Sequence, residues 1–360
     1  MTPAETWTPV ETTEIRPGYR ISRVLKGGWQ LAGGHAEIDR EKAITEMGDY
    51  IRSGITTFDC ADIYTGVEQM IGDFRRATIA TGDVSLLAPL KVHTKCVPDL
   101  QKLATLTRAE LQETIDRSLL RLGLDQLNLV QFHWWDTDVR RYVEVAGWLS
   151  EFQKEGKIDL LGTTNFNTAC MQEMTDAGVN FASMQVQYSL LDNRPERTLL
   201  PFCKEKDIKI LCYGTVAGGF LSDRWLGVPE PAHPLENRSL TKYKLIIDDM
   251  GGWDMFQALL STLRRVADRH GVQVADVAMR AALAFPQVSG IIVGVRHGGH
   301  LEAHARLFGL ELTATDHAEI KAILDQKTPL EGDVYDLERD QKGRHGRIMH
   351  YNLNEEKPAA

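Results

Sequence analysis

The sequence predicts an α/β fold: a single-domain (β/α)8 TIM barrel with a long loop after strand 7 and a C-terminal tail. Three observations predict it. Apolar runs of strand length alternate with amphipathic stretches of helix length almost from end to end, and that alternation implies parallel strands joined by crossover helices. The strand candidates number eight, which suggests closure into a barrel. Ionisable side chains stand at or just past the ends of several strands, where the catalytic face of such a barrel lies.

The strand candidates are Ile21–Leu25, Thr56–Cys60, Leu90–Lys95, Leu127–Phe132, Leu160–Thr164, Ser183–Val186, Ile208–Tyr213 and Gly290–Val293. Between them lie helix candidates such as Arg40–Ser53, Thr107–Leu122, Asp138–Glu155, Thr168–Ala177, Pro195–Lys206, Met255–His270 and Leu301–Leu307. Thr107 followed by Glu110 reads as a capping box. Leu111, Ile115, Ser118, Leu119 and Leu122 then recur at helical spacing, and Gly123 ends the run. Gly54, Gly123, Gly156 and Gly178 stand at helix-to-strand joints and suit left-handed C-caps.

Two stretches exceed the plan. Gly214–Gly252 is too long for a simple connection and falls on the catalytic face. Val274–Phe285 reads as an extra helix. Residues 1–18 read as an N-terminal extension and 19–328 as the barrel. Residues 329–360 form a tail that either wraps over the pocket or packs on the outside.

The 360 residues carry 41 basic and 50 acidic side chains, a net charge of −9, with both signs interspersed. That pattern suits solubility and argues against nucleic-acid binding. No apolar run approaches the roughly 20 residues of a membrane span. The acidic, polar start does not read as a secretory leader. Five cysteines, an odd number with no C-x-x-C pair, fit a reducing cytoplasm better than a disulfide framework.

The chemistry is concentrated in FDCADIYTG, HTKC and QFHWW, which supply Asp59, Tyr64, Lys95 and His133. A lysine ammonium close to a phenol favours the phenolate and lowers a pKa that is ordinarily about 10. Asp59 would keep Lys95 charged and aimed, Tyr64 would serve as general acid, and His133 would donate a hydrogen bond to the same substrate oxygen. Trp29, Trp134, Trp135 and Trp225 sit in strand-end or loop segments, and Trp29 and Trp134 are candidates for an apolar substrate wall. His133, Asp136 and Asp138 lack further ligands at other strand ends, so no metal site is expected.

From Ser22 to the helix after Gly299 the chain resembles the aldo-keto reductase superfamily. The family pattern FDTA..YG.sE is similar to FDCADIYTGVEQ here, with Cys60 at the usual Thr and Thr65 inserted before Gly66. Lys95 matches a strand-end TK, and HWWD from His133 matches an H..D segment. The resemblance implies a catalytic tetrad of Asp59, Tyr64, Lys95 and His133, and NAD(P)H-dependent interconversion of a small-molecule carbonyl and alcohol.

The cofactor positions carry over in the same way. GTTNFN resembles GVSNF, which implies that Thr164 and Asn165 hold the nicotinamide carboxamide, with Gln185 of MQVQYSLLD on the same amide. CYGTVAGGFLS resembles YSPLAGGLLTG. Tyr213 is therefore expected to stack on the nicotinamide, and the run through Gly214, Thr215, Gly218, Gly219 and Leu221 to wrap the pyrophosphate. In VGVRHGGHLEAHARL, Gly294 aligns with the second phosphate segment, while Ala303 and His304 replace a Glu-Asn pair at the adenine end. Arg296, His297 and His300 supply cations for a 2′-phosphate, so NADP(H) is expected in preference to NAD(H). The family also contains potassium-channel β subunits, which makes a cofactor-binding regulatory protein the alternative. Oligomeric state is left open.

Overall fold

The computed structural model describes residues 10–32, 38–294 and 306–354. The chain opens with an antiparallel hairpin, β1 (Thr12–Arg16) and β2 (Tyr19–Ser22). The barrel strands follow as β3 (Val24–Gly27), β4 (Thr57–Asp59), β5 (Lys91–Cys96), β6 (Leu127–Phe132), β7 (Ile158–Thr164), β8 (Ser183–Gln187), β9 (Lys209–Tyr213) and β10 (Val288–Gly294). Each pairs in parallel with the next, and β10 returns to β3 to close the barrel. The predicted fold class is therefore the observed one.

The first strand candidate straddles two elements, ending β2 and beginning β3. Ser22 explains the break. Its hydroxyl donates to the Val24 carbonyl and accepts from the amides of Thr56 and Thr57. The chain thus bends at the point where β4 docks. The hairpin closes the bottom of the barrel: Ile15, Tyr19 and Ile21 pack against the interior residues Leu25, Leu129, Leu211 and Ile292. Arg16 fastens it by donating to the carbonyls of Phe181 (2.6 Å) and Asp207 (2.7 Å).

Helices α1 (Arg40–Arg52), α2 (Val67–Ala80), α3 (Arg108–Leu122), α4 (Tyr142–Lys154), α5 (Thr168–Asp176) and α6 (Leu199–Glu205) join successive strands. The capping box at Thr107 and Glu110 forms in both directions, at 3.2 and 2.8 Å. Gly123 ends α3 at φ 63°, a conformation a side chain would resist. The candidate at Pro195–Lys206 divides into a 3-10 turn at Arg194–Glu196 and α6. The one at Asp138–Glu155 starts only at Tyr142, because Asp136 draws the Asp138 amide into a turn.

The long stretch after β9 folds back on itself. Its α7 (Arg238–Asp249) packs with α8 (Gly252–His270) and α9 (Val274–Leu283) in a second apolar cluster that includes Trp225, Trp253 and Phe256. Most of the candidate Leu301–Leu307 lies outside the described residues. Then come α10 (Ala314–Leu324) and the short α11 (Asp336–Arg339). No described helix is long and apolar enough to cross a membrane.

His93 lies inside the barrel on β5, its ring 6.1 Å from that of Tyr19 and both nitrogens without a partner. Burial pushes its pKa down to about 4, the Asp59 charge opposing. The unfolded chain therefore takes up a proton below about pH 6.5 that the native chain refuses, and stability falls as pH drops toward 4. This one group contributes a slope of roughly 1.4 kcal/mol per pH unit in that window. In His93→Leu, urea denaturation between pH 6.5 and 4.5 should show a flatter decline than wild type. An unchanged slope would remove His93 from that role.

Candidate active site

One residue in or just past the C-terminal half of every barrel strand reaches a single cavity of about 360 Å³. They are Gly27, Asp59, Lys95, His133, Thr164, Gln185, Tyr213 and Gly294. Parallel strands put all their carbonyl ends on one face, so alternate residues from separate turns of sequence converge there.

Asp59 is the hub. Its Oδ2 accepts from Lys95 Nζ at 2.6 Å, and its Oδ1 from Gln185 Nε2 at 2.6 Å and Gln131 Nε2 at 3.0 Å. Lys95 also donates to the Cys60 carbonyl at 2.9 Å, and its Nζ lies 4.9 Å from the centre of the Tyr64 ring. Burial opposes the ammonium, but Asp59 and then Tyr64 more than offset it, so Lys95 stays charged. Tyr64 is held by the turn between β4 and α2, with the Trp29 ring 5.1 Å away.

Tyr64 departs from the sequence expectation. Burial raises its pKa further than the Lys95 charge lowers it, so it sits above the ordinary tyrosine value and the phenol keeps its proton at neutral pH.

His133 departs as well. Its Nδ1 lies 3.1 Å from the Thr164 carbonyl, and a carbonyl only accepts. The proton is therefore on Nδ1. Burial, followed by the Arg339 charge, pushes the pKa down to about 3 and keeps the ring neutral. Nε2 is buried without a partner and presents a lone pair rather than the expected hydrogen.

The cofactor candidates are placed unevenly. Asn165 turns left-handed at φ 64° and accepts from the Tyr213 hydroxyl at 2.9 Å. Tyr213, Gly214, Thr215, Gly218 and Gly219 all line the cavity, as does Gly294. A Cβ on Gly214 would come within 2.1 Å of the Tyr243 hydroxyl, and its φ is 77°. One on Gly218 would meet the Tyr243 ring at 2.9 Å. The Thr215 hydroxyl is buried and unpartnered. Glycine-lined backbone and an orphaned hydroxyl suit a phosphate-bearing cofactor. Gln185, expected on the nicotinamide amide, instead spends its amide hydrogens on Asp59 and on Gln131 Oε1 (2.9 Å).

Two assignments are corrected. Leu221 does not line the cavity; its side chain is fully buried in the α7–α8 cluster and its amide bonds to Val216. Trp134 points away: it is fully buried against Phe132 and donates to the Val139 carbonyl. The two-residue alternation of β6 runs past its end, so Gln131, His133 and Trp135 face one way and Phe132 and Trp134 the other. Trp135 lines the cavity, with its ring 4.4 Å from that of His133, and Trp29 lines it too. Arg296, His297, His300, Ala303 and His304 lie outside the described residues.

Several lining residues escaped the sequence reading. Arg238 and Lys242 come from α7, one turn apart, and Tyr335 and Met349 come from the tail. Gln131, which reaches Asp59 rather than the cavity wall, had a visible signal, an amide with Asn128 in the otherwise apolar strand LNLVQF. The others had none, because only tertiary packing brings them over the barrel.

The aldo/keto reductase family model matches residues 23–325. The chain belongs to that family, whose members are NAD(P)H-dependent oxidoreductases of small-molecule carbonyl compounds. It is 26% identical over 321 residues to the aldo-keto reductase YhdN of Bacillus subtilis, covering 86% of this chain and 91% of that protein. It is 28% identical over 235 residues to the NADH-specific methylglyoxal reductase of Escherichia coli, covering 59% and 68%. The glycerol dehydrogenase AKR11B4 of Gluconobacter oxydans shares the fold with a TM-score of 0.73 at 23% identity, over 90% of this chain and 98% of that one.

The Lys95–Asp59 pair is buried, so removing one partner strands the other. Lys95→Met should cost about 3–5 kcal/mol of stability. Lys95→Met combined with Asp59→Asn should recover much of that loss, as read by urea denaturation. A double variant no more stable than Lys95→Met would show that the two charges are not coupled.

Proposed function

We propose that the protein reduces an aldehyde or ketone to the alcohol, using NADP(H) in preference to NAD(H), with Tyr64 as the proton donor. The observation that carries the reading is the position of the Tyr64 phenol in the cavity wall beside a buried, charged Lys95 that Asp59 holds in place. When bound, the cofactor supplies the hydride; the protein supplies position and field.

Tyr64 gives its proton to the oxygen as negative charge develops there, and the Lys95 ammonium stabilises the phenolate left behind. Asp59 keeps that ammonium aimed. His133 orients the oxygen from the other side by the position of its ring alone: the neutral ring offers no hydrogen at Nε2, so the carbonyl oxygen is turned toward the hydrogen of Tyr64. Thr164 and Asn165 would hold the carboxamide, Tyr213 would meet the nicotinamide ring, and the Gly214–Gly219 run would admit the pyrophosphate. Arg238 and Lys242 face the same cavity over the rings of Trp29 and Tyr213, where they would meet a group common to NAD(H) and NADP(H); the preference for NADP(H) rests on the sequence expectation for Arg296 and His300. The Escherichia coli relative is named NADH-specific, so the cations rather than kinship argue for the phosphate.

The test is turnover of a panel of aldehydes and ketones, followed by loss of NADPH absorbance. Tyr64→Phe should abolish turnover while NADPH still binds. Tight NADPH binding without turnover on any carbonyl would favour the regulatory alternative. The NADPH/NADH ratio of kcat/KM should fall in Arg296→Ala, and an unchanged ratio would remove that residue from the phosphate site.

The raised pKa of Tyr64 fixes a second expectation. Reduction needs the phenol and oxidation the phenolate. Reductive kcat should hold through neutral pH, while oxidative kcat should climb as pH rises into the alkaline range. Coincident profiles would contradict Tyr64 as the shared acid and base.

A further inference from the structure

We infer that Arg339, in the C-terminal tail, is a positioning residue that acts on the reaction through His133. The inference rests on the proposed reductase reading, in which His133 orients the substrate oxygen.

The geometry is specific. Arg339 Nη2 donates to the Asn165 carbonyl at 2.7 Å and to the Trp134 carbonyl at 3.1 Å. These carbonyls belong to the residues just after Thr164 and His133, the pair already joined by the bond from Nδ1 to the Thr164 carbonyl. One guanidinium therefore clamps the ends of β6 and β7 at the point where the imidazole is held. A second bond across the same gap limits how far the two strand ends can part.

The cation is also unusual. Among the described residues no carboxylate lies within ion-pair distance of Arg339, although its Nε and Nη1 are sealed from solvent without partners. A structural arginine at such a depth would ordinarily find a carboxylate. Instead its planar face lies 5.2 Å from the Tyr335 ring and 5.9 Å from that of Phe166. Tyr335 in turn meets the His133 ring edge-on at 5.5 Å. The tail thus holds His133 by a ring contact and by the carbonyl clamp.

The charges that face His133 come from three elements: Lys95 on β5, Lys242 on α7 and Arg339 on α11. Tyr335 of the tail and Tyr64 of the β4–α2 turn share the cavity with it. All three charged groups are cations and all disfavour an imidazolium. Arg339 is the largest of the three influences. Lys242 is shared with Glu338, 3.9 Å away, and Lys95 with Asp59; Arg339 feels Asp336 and Glu338 of its own helix, but neither is within ion-pair distance of it.

The test compares Arg339→Gln and Arg339→Lys in the full chain. In Arg339→Gln, kcat should fall on the order of tenfold to a hundredfold, the scale of a misplaced orienting group, with cofactor binding little changed. The acid limb of its kcat/KM profile should move to higher pH. Arg339→Lys keeps the charge and can reach one carbonyl, so its acid limb should stay at the wild-type position while kcat remains low.

The second readout needs no turnover. With ¹⁵N-labelled histidine, His133 should appear as the neutral Nδ1–H form in wild type and should titrate at higher pH in Arg339→Gln. Wild-type kcat in Arg339→Gln would overturn the inference. So would lost activity with an unmoved acid limb and unmoved His133 resonances, which would mark a staple for the tail and nothing more. If Arg339→Gln does not fold, Arg339→Lys decides: wild-type kcat in it would sink the clamp. Wild-type protein that turns over no carbonyl would instead refute the reductase reading, while the histidine spectra would still test Arg339.

Discussion

The Asp59 carboxylate is the interaction on which the rest of the site depends. It is buried, and an isolated charge at that depth would be prohibitive. Three donors from three other strands make it tolerable: Lys95 from β5, Gln131 from β6 and Gln185 from β8. Each donor is in turn fixed by the carboxylate, so four strands agree on one point in the barrel. Tyr64 inherits its place from the same arrangement. Asp62, three residues after Asp59, accepts from the amides of Ile63 and Val97. It ties the turn that carries Tyr64 to the end of β5, where Lys95 emerges. The phenol and the ammonium therefore approach each other through two neighbouring anchors rather than through a direct bond alone.

What could be read from the sequence was what local periodicity encodes. β6 was legible to the residue, Leu127–Phe132, because Leu127, Leu129, Val130 and Phe132 form a strand-length apolar stretch between the Gly123–Gln126 joint and the ionisable His133. The eight-strand barrel followed from that same signal repeated. The strand start at Ile21 was misread because Ser22 breaks the run by hydrogen bonding, which apolarity does not register. The candidate site was legible where ionisable residues stand at strand ends, and misread by one residue at Trp134. Two tryptophans in sequence look alike, and only the parity of the strand says which faces the cavity. The sign of the Tyr64 shift was also out of reach. It is a balance between burial and a neighbouring charge, and a sequence shows the charge without the depth.

The segments that were illegible are those whose meaning is entirely long-range. Arg194 is held bidentate by Asp192, two residues away, and then meets Glu338 in the tail at 3.4 Å. Lys242 of α7 approaches the same Glu338. These four charges are mutually offset, and together they join the β8 loop, α7 and α11 above the cavity. Asn354 extends the attachment by donating to the Val97 carbonyl at 2.9 Å, beside the end of β5. No spacing rule predicts contacts between residues so far apart in the chain. The composition of the tail, mixed and polar, is what an ordinary solvated segment would show.

The division of labour follows from rigidity. Groups that move a proton need placement within a fraction of an ångström, and strand ends of a closed barrel give it, because each is hydrogen-bonded on both sides. The groups that shape the cavity above them, from α7 and the tail, are held in part by a charge network of Asp192, Arg194, Lys242 and Glu338. Arg339, like Asn354, instead bonds backbone carbonyls at the strand ends of the barrel itself. A carbonyl cannot be mutated away, and it carries no charge to cancel the guanidinium. The guanidinium therefore acts on His133 while Asp336 and Glu338 of its own helix only partly oppose it, and it joins the tail to the catalytic strands without a direct ion pair.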